Sequence, residues 1–345
     1  MKNRKVKRAV ALVSVFLVIA VCAGYWLVFA PFAPDRGGEE YLYVRENGGE
    51  ATAEAVYSDL ERMGYPGKTL FIRMLGRVSG YTRHVKAGRY RVSPDVSALR
   101  LFRDLRNGHQ EPVKFTVPYV RTVNDLAARL AEQFSCDSAT WAERFADAEF
   151  CSRYGVTPAT LPCLFVANTY EVFWDVTPDN LMKRMQRESA TFWTEARRQA
   201  AREAGLSECG VMTLASIVDQ ETANDAEKPM IAGMYLNRLR QGMKLQADPT
   251  VKFALKNFGL QRIMHEHLTV DSPYNTYKYE GLPPGPIVIP SLAGINAVLN
   301  HAKHDYLYMC AKEDFSGTHN FAVTYSEHLE NARRYAQALD KRNIH

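Results

Sequence analysis

The longest apolar pattern in the chain has no period at all. From Ala9 to Ala30, "AVALVSVFLVIAVCAGYWLVFA" runs 22 residues without a charge, where about 20 suffice for a helix to cross a bilayer core. Period-two and helical patterns follow. "YLYVRENG", Tyr41 to Gly48, predicts a strand and turn, and "EAVYSDLERMGY" a short helix. Between Ala87 and Gly108 a strand leads through Ser-Pro-Asp into a helix whose apolar stripe is Leu99, Phe102 and Leu105, stopped by Asn107-Gly108. "VKFTVPYVRTVNDLAARLAEQF" repeats that theme, with Thr122 as N-cap and Leu126 and Leu130 on the stripe. Residues from Asp137 to about Ser207 are mainly helical, interrupted by "LPCLFVANTYEVFWDVTPDN". From Glu208 come further helices, a Tyr-, Pro- and Gly-dense segment from Ser272 to Pro290, a strand in "DYLYMCAKE" and a closing amphipathic helix.

The expected fold class is α+β: an N-terminal transmembrane helix, a small α/β module and a mixed α+β catalytic domain with a substrate cleft. The expected divisions are a basic tail 1–8, a membrane span 9–30, a linker 31–40, the module 41–118, a helical region 119–207 and the catalytic domain 208–345. The compact strand-helix units of the module resemble the LysM fold used on cell-wall glycans.

Charge supports this orientation and removes one class of partner. The formal net charge is +5, and five basic residues lie before residue 9, so the body of the chain is balanced at 38 basic and 38 acidic residues. A nucleic-acid binder carries its basic excess on the folded part, so nucleic acid is not an expected partner. The basic cluster before the apolar run keeps the N-terminus cytoplasmic and exports the rest. The expected location is therefore the inner (cytoplasmic) membrane, with a single pass. A cleaved signal peptide fits less well, because the run exceeds an ordinary h-region and lacks an A-x-A site. The Val21-Cys22 pair is a poor lipobox. Outside the run lie Cys136, Cys151, Cys163, Cys209 and Cys310, an odd number without CxxC spacing. That is neither a disulfide framework nor a zinc knuckle; buried thiols are expected, with a single bridge such as Cys151 to Cys163 as the alternative.

Candidate chemistry centres on Glu221. Leu214, Ile217, Val218 and Glu221 fall at i, i+3, i+4 and i+7, on one helical stripe. A carboxyl on a packed face loses hydration, which disfavours its anion and raises its pKa. Such a group can protonate a leaving oxygen near neutral pH; the alternative is a Glu that ends the helix and reaches water. Asn224 and Glu227 have capping-box spacing, with a second catalytic acid at Glu227 as the alternative. Asp248, before Pro249 and after Gln246, is expected on a loop past the Gly242 helix stop, as a turn former or as a contact for a hydroxyl or N-acetyl group. Asn237 and Arg238 interrupt an apolar helix and serve packing or a cleft floor. Tyr277 and Tyr279 are expected to alternate on a strand face, with Tyr274 and Asn275 upstream, suited to sheet packing or to sugar rings. "GLPPGPIVIP" forms neither central strand nor helix and suits a stiff wall. His319 in "THNF" reads as a hydrogen-bonding cleft residue or a structural residue rather than a base. "HEH" at His265–His267 is not a zinc motif, because Thr269 stands where the second His of H-E-x-x-H belongs. No metal or cofactor is expected.

"ASIVDQET", Glu227, "YLNRLRQGMKLQADPTV", "SPYNTYKYEGLPPGPI" and "HNF" occur in this order. Together they resemble the motifs of the endolytic murein transglycosylases, the membrane-anchored YceG-like family, from about Gly88 to the C-terminus. The resemblance implies a catalytic glutamate at Glu221 and substrate contacts at Asn237, Gln246, Asp248, Tyr274, Asn275, Tyr277 and His319. It implies peptidoglycan glycan strands as substrate and peptidoglycan synthases as partners. The frequent E-K-E-T is D-Q-E-T here, and Ala167-Asn168 replace a common Pro-Asp, so no charge is available at Asn168.

Overall fold

Capping residues decide where most elements begin. The computed structural model describes residues 2–33, 39–46, 51–260 and 262–342. In chain order the elements are α1 (Lys2–Phe29), β1 (Glu40–Val44), α2 (Ala53–Arg62), α3 (Pro66–Ser79), β2 (Gly88–Val92), α4 (Ala98–Asn107) and β3 (Val113–Thr116). Then follow α5 (Val123–Ala131), α6 (Ser138–Ala146), α7 (Ala148–Ser152), β4 (Thr169–Val172), α8 (Pro178–Phe192) and α9 (Glu195–Glu203). The chain ends with α10 (Glu208–Glu221), α11 (Lys228–Arg240), α12 (Asp248–Ala254), α13 (Leu292–Leu299), β5 (Tyr308–Ala311), β6 (His319–Ala322) and α14 (Tyr325–Lys341). Residues 1–114, 133–135 and 171–176 form one unit, and 115–132, 136–170 and 177–345 another.

In the first unit, β1 and β2 pair antiparallel, Glu40 opposite Val92 and Val44 opposite Gly88. The Ser97 hydroxyl caps α4 by accepting from the Arg100 N–H (3.2 Å), and Gly108, at φ 74°, ends it in the left-handed conformation that glycine adopts without strain. The buried face of α4 is Ala98, Leu101, Phe102 and Leu105, not a stripe through Leu99. Phe32 and Ala33 are buried in the same core, and the Phe32 N–H donates to Val96 O (2.6 Å). Helix α3 leaves Leu70, Met74 and Val78 exposed. Along α1 the described side chains run unbroken from residue 10 to 26, all exposed. Among the described residues no helix is long and apolar enough to cross a membrane.

The second unit is built round α10. Every residue of α10 from Val211 to Val218 is buried, so this helix is enclosed on all faces instead of presenting one stripe. It contacts α11, α12 and α13. The Ser207 hydroxyl starts it by accepting from the Gly210 N–H (3.0 Å). Gly285 lies so close to the chain at Ala159 that a Cβ would overlap the Ala159 carbonyl oxygen. Around it "GLPPGPIVIP" is irregular, with Ile287, Val288 and Ile289 buried. Strands β5 and β6 pair antiparallel, Ala311 opposite His319. Thr324 and Glu327 form a full capping box on α14, as Thr122 and Asp125 do on α5.

Cysteine pairing departs from expectation. The bridge joins Cys163 to Cys209, while Cys151 is buried and unbridged. Sequence spacing could not indicate this pairing, because the bridge crosses from the 3-10 turn Leu161–Leu164 before β4 to the first turn of α10, 46 residues on. A loop of that size removes substantial entropy from the unfolded chain. Reduction with a thiol is therefore expected to lower unfolding stability by about 2–4 kcal/mol, read from urea transitions with and without reductant. Coincident transitions would rule this contribution out.

Candidate active site

Glu221 is the last residue of α10 and is half-buried. Thr222 takes extended dihedrals and ends the helix; its hydroxyl accepts from the Asn224 N–H (3.1 Å), and the Asn224 side chain accepts from the Ala226 N–H (3.1 Å). These local bonds compete with the helical ladder and turn the chain towards α11. Burial is the main cause that pushes the Glu221 carboxyl pKa up. The Tyr235 hydroxyl, which donates to Oε1 (2.6 Å), pulls it back; Asp248 pushes it up, and His319 and Arg238 pull it down. The carboxyl also sits at the negative end of a helix dipole, which disfavours an anion. The net direction is upward, towards a protonated acid.

The surrounding groups are fixed by buried polar contacts. Tyr235 lies on α11, as does Arg238, whose Nε donates to Leu307 O (2.6 Å) and whose Nη1 donates to Leu245 O (2.7 Å). Arg238 thus packs the helix against two later segments while its charge reaches Glu221. Asp248 is exposed and is the first residue of α12, not part of a loop. Its Oδ1 accepts from the Tyr277 hydroxyl (2.6 Å). Burial chiefly, and then Asp248, raises the Tyr277 pKa, so that phenol remains a donor. Gln246 is exposed at φ 51°, a strained value for a side chain with a Cβ. Buried Thr276 holds it there: its carbonyl accepts from the Gln246 N–H (3.1 Å) and its hydroxyl from the Ala247 N–H (3.0 Å).

Several expected contacts have other work. The Asn237 amide donates to His304 O (2.7 Å) and Tyr306 O (3.1 Å); two positions on from Tyr235, it points about 200° away round α11. Asn275, 0% exposed, donates to Leu268 O and Val270 O (both 2.8 Å) and accepts from the Tyr277 N–H (3.1 Å). Tyr274 packs on Phe253, ring centroids 4.6 Å apart. The expected strand through Tyr277 and Tyr279 is absent. Residues 272–279 form successive turns, because the Ser272 and Asn275 side chains bond to nearby backbone N–H groups. Tyr279 reaches Asp271 (2.6 Å), while Tyr277 reaches Asp248.

Glu227 corrects the capping-box reading. It occupies the N-cap position of α11 without a side-chain cap bond. Its Oε1 accepts from the His319 N–H (2.6 Å) and its Oε2 lies 3.0 Å from His319 Nδ1. Next to it, Lys228 Nζ is 2.7 Å from both Asp219 and Asp225. Asp219 also accepts from the Ser291 N–H (2.7 Å) and hydroxyl (2.9 Å), which joins the end of α10 to the starts of α11 and α13. Tyr235, Thr276 and Lys228 were not singled out by sequence; a Tyr, Thr or Lys inside a helical or turn-rich run carries no spacing signal of its partner. A cavity of about 70 Å³, which Glu221 does not line, is bounded by Arg121, Gln220, Pro249, Lys252, Phe253 and Phe258. Among the described residues no cluster of three or more His, Cys, Asp or Glu could hold a metal ion.

Because Tyr235 donates to the charged form of Glu221, Tyr235→Phe is expected to raise the Glu221 pKa further. The alkaline limb of a pH–rate profile should then move to higher pH. An unmoved limb would mean that the bond does not tune the acid.

Comparison with known proteins gives the family of the chain. The profile of the YceG-like family matches residues 47–334. A Bacillus subtilis (strain 168) protein named endolytic murein transglycosylase is 32% identical over 168 residues, 49% of this chain and 46% of that protein. A Streptococcus pneumoniae (strain D39) protein of the same name is 27% identical over 372 aligned positions, 96% of this chain and 66% of that protein. The chain therefore spans about half to two thirds of the length of these relatives. The crystal structure of a YceG-like protein from Listeria monocytogenes superposes with a TM-score of 0.53 at 27% identity, covering 85% of this chain and 99% of that one. With a family profile aligned over most of its length, the chain belongs to the YceG-like family.

Proposed function

We propose that this protein is a peptidoglycan lytic transglycosylase. It would cleave the β-1,4 bond between N-acetylmuramic acid and N-acetylglucosamine within nascent strands and leave 1,6-anhydro ends. The observation that carries the reading is Glu221, a half-buried carboxyl whose pKa is raised by burial and whose Oε1 is held by Tyr235. A protonated Glu221 gives its proton to the leaving glycosidic oxygen. The C6 hydroxyl of the muramyl residue then attacks its own anomeric carbon, and the Glu221 anion accepts the hydroxyl proton. An intramolecular nucleophile has a high effective molarity, so neither a held water nor a second carboxylate is required. The names of the relatives support murein as the substrate class.

One observation favours a hydrolytic muramidase as the second reading: Asp248 is exposed and its charge is felt at Glu221, so it could serve as base towards a water. Mass analysis of products from uncrosslinked glycan strands separates the two. Anhydro ends support the proposal; fragments heavier by one water overturn it. Intact strands that nevertheless co-sediment with the protein would indicate a non-catalytic wall-binding scaffold.

The proposal extends to position in the cell. The basic N-terminus and the apolar Ala9–Ala30 run support a single-pass inner-membrane anchor with the remainder exported. The order β1, α2, α3, β2 with its antiparallel pair supports a small LysM-like glycan-binding module. A tethered enzyme would act close to wall synthesis, which makes peptidoglycan synthases the expected partners.

A further inference from the structure

Glu227 and His319 form a dyad that the single-acid scheme does not use. Glu227 is 8% exposed, and both its oxygens are engaged by one residue: Oε1 by the backbone N–H of His319 and Oε2 by ring Nδ1. An ionised carboxylate only accepts hydrogen bonds, so Nδ1 carries the proton. In the neutral ring, Nε2 is then a bare acceptor, and among the described residues no hydrogen-bond partner is found for it. The ring is anchored at both its backbone and its Nδ1 edge, as a histidine base is by its orienting carboxylate in hydrolase triads. The side chain remains 16% exposed, so it reaches solvent. When protonated, the ring acts on the Glu221 carboxyl, so the two side chains are near neighbours.

We propose that His319 Nε2 is the base that takes the C6 hydroxyl proton, with Glu227 as the positioning residue that fixes its tautomer. This rests on the transglycosylase reading and divides between two residues the roles otherwise given to Glu221. The Glu221 proton passes to the glycosidic oxygen as the C1–O bond breaks with its electron pair. The muramyl O6 forms the new bond to C1, and its proton passes to Nε2. The products are two strand fragments, a Glu221 carboxylate and a His319 imidazolium; proton exchange through solvent restores both groups. No water is consumed and nothing is oxidised or reduced. At Glu221 the groups that act on the carboxyl are Tyr235 and Arg238 on α11, Asp248 on α12 and His319 itself. Lys228 is engaged by Asp219 and Asp225.

Glu227→Gln is the discriminating variant. A Gln oxygen can still accept from the His319 N–H, but its NH2 then faces Nδ1 and demands an acceptor there, which moves the proton to Nε2. Nitrogen-15 NMR of the full-length protein should show the Nδ1–H form in the parent and the Nε2–H form in the variant. kcat should fall about 10²–10⁴-fold with KM little changed. His319→Gln keeps a donor for Glu227 and lacks a base, so it should lose kcat similarly while its thermal unfolding stays near that of the parent. The inference is overturned if the parent ring is Nε2–H, or if either variant turns over within threefold of the parent. It differs from failure of the underlying reading, in which the parent itself releases no anhydro product.

Discussion

Replacing Glu221 by Gln is expected to lower kcat for strand cleavage by at least about 10²–10⁴-fold, the usual contribution of a general acid–base group, while glycan binding persists. Gln keeps the size of the side chain and an oxygen to accept from Tyr235 (2.6 Å in the parent), so the site should not collapse. Product mass analysis and glycan co-sedimentation check the two halves separately, and retained cleavage would remove Glu221 from the mechanism. The same variant carries a stability signature. In the parent, burial raises the folded-state pKa above the unfolded value. The stability linked to that protonation is complete below the unfolded pKa and is lost as pH rises through the folded one. Gln does not titrate, so Glu221→Gln should melt higher than the parent on the alkaline side, with the gap closing towards acid. A pH-independent gap would mean that the carboxyl is not strained by burial.

Lys228→Met should destabilise the fold by about 3–5 kcal/mol, because it leaves a buried charge without its counterion. Asp219 has a side chain only 2% exposed and, among the described residues, keeps the two Ser291 donors when the ammonium is gone. Burial alone would lower the Lys228 pKa; the bonds to Asp219 and Asp225 reverse this and raise it. The stabilisation is therefore present below the unfolded lysine value and is lost as pH rises through the folded one. Urea unfolding at neutral pH measures the loss, and the double variant with Asp219→Asn should recover a large part of it, since no charge is then stranded. A loss below about 1 kcal/mol would place the pair among surface ion pairs. The consequence for the site is direct, because this pair joins the end of α10, where Glu221 sits, to the start of α11, which carries Tyr235.

How legible the site was differs residue by residue. Glu221 could be found because a carboxylate in phase with Leu214, Ile217 and Val218 violates the apolar pattern. Glu227 was visible as a polar residue near a helix start, but its local reading as a cap was wrong, since its partner lies 92 positions away. Tyr277 and Tyr279 alternate in sequence yet adopt turns, because Ser and Asn side chains nearby offer the backbone closer partners than a ladder would. Asn237 and Asn275 have the chemistry of sugar ligands, and the fold directs their amides to main-chain carbonyls.

By itself the sequence determined the element order over most of the chain, the cap at Thr122, the stops at Gly108 and Gly242, and Glu221 as the candidate acid. These depend on interactions within a few residues, or on a periodicity that survives without knowledge of neighbours. Only the tertiary structure decided that α10 is enclosed on every side, that Cys163 bridges Cys209, and that Tyr235, Asp248, Arg238 and His319 set the electrostatics of Glu221. Burial, charge proximity and cross-chain hydrogen bonds join residues far apart along the backbone, and no local pattern encodes which distant group arrives.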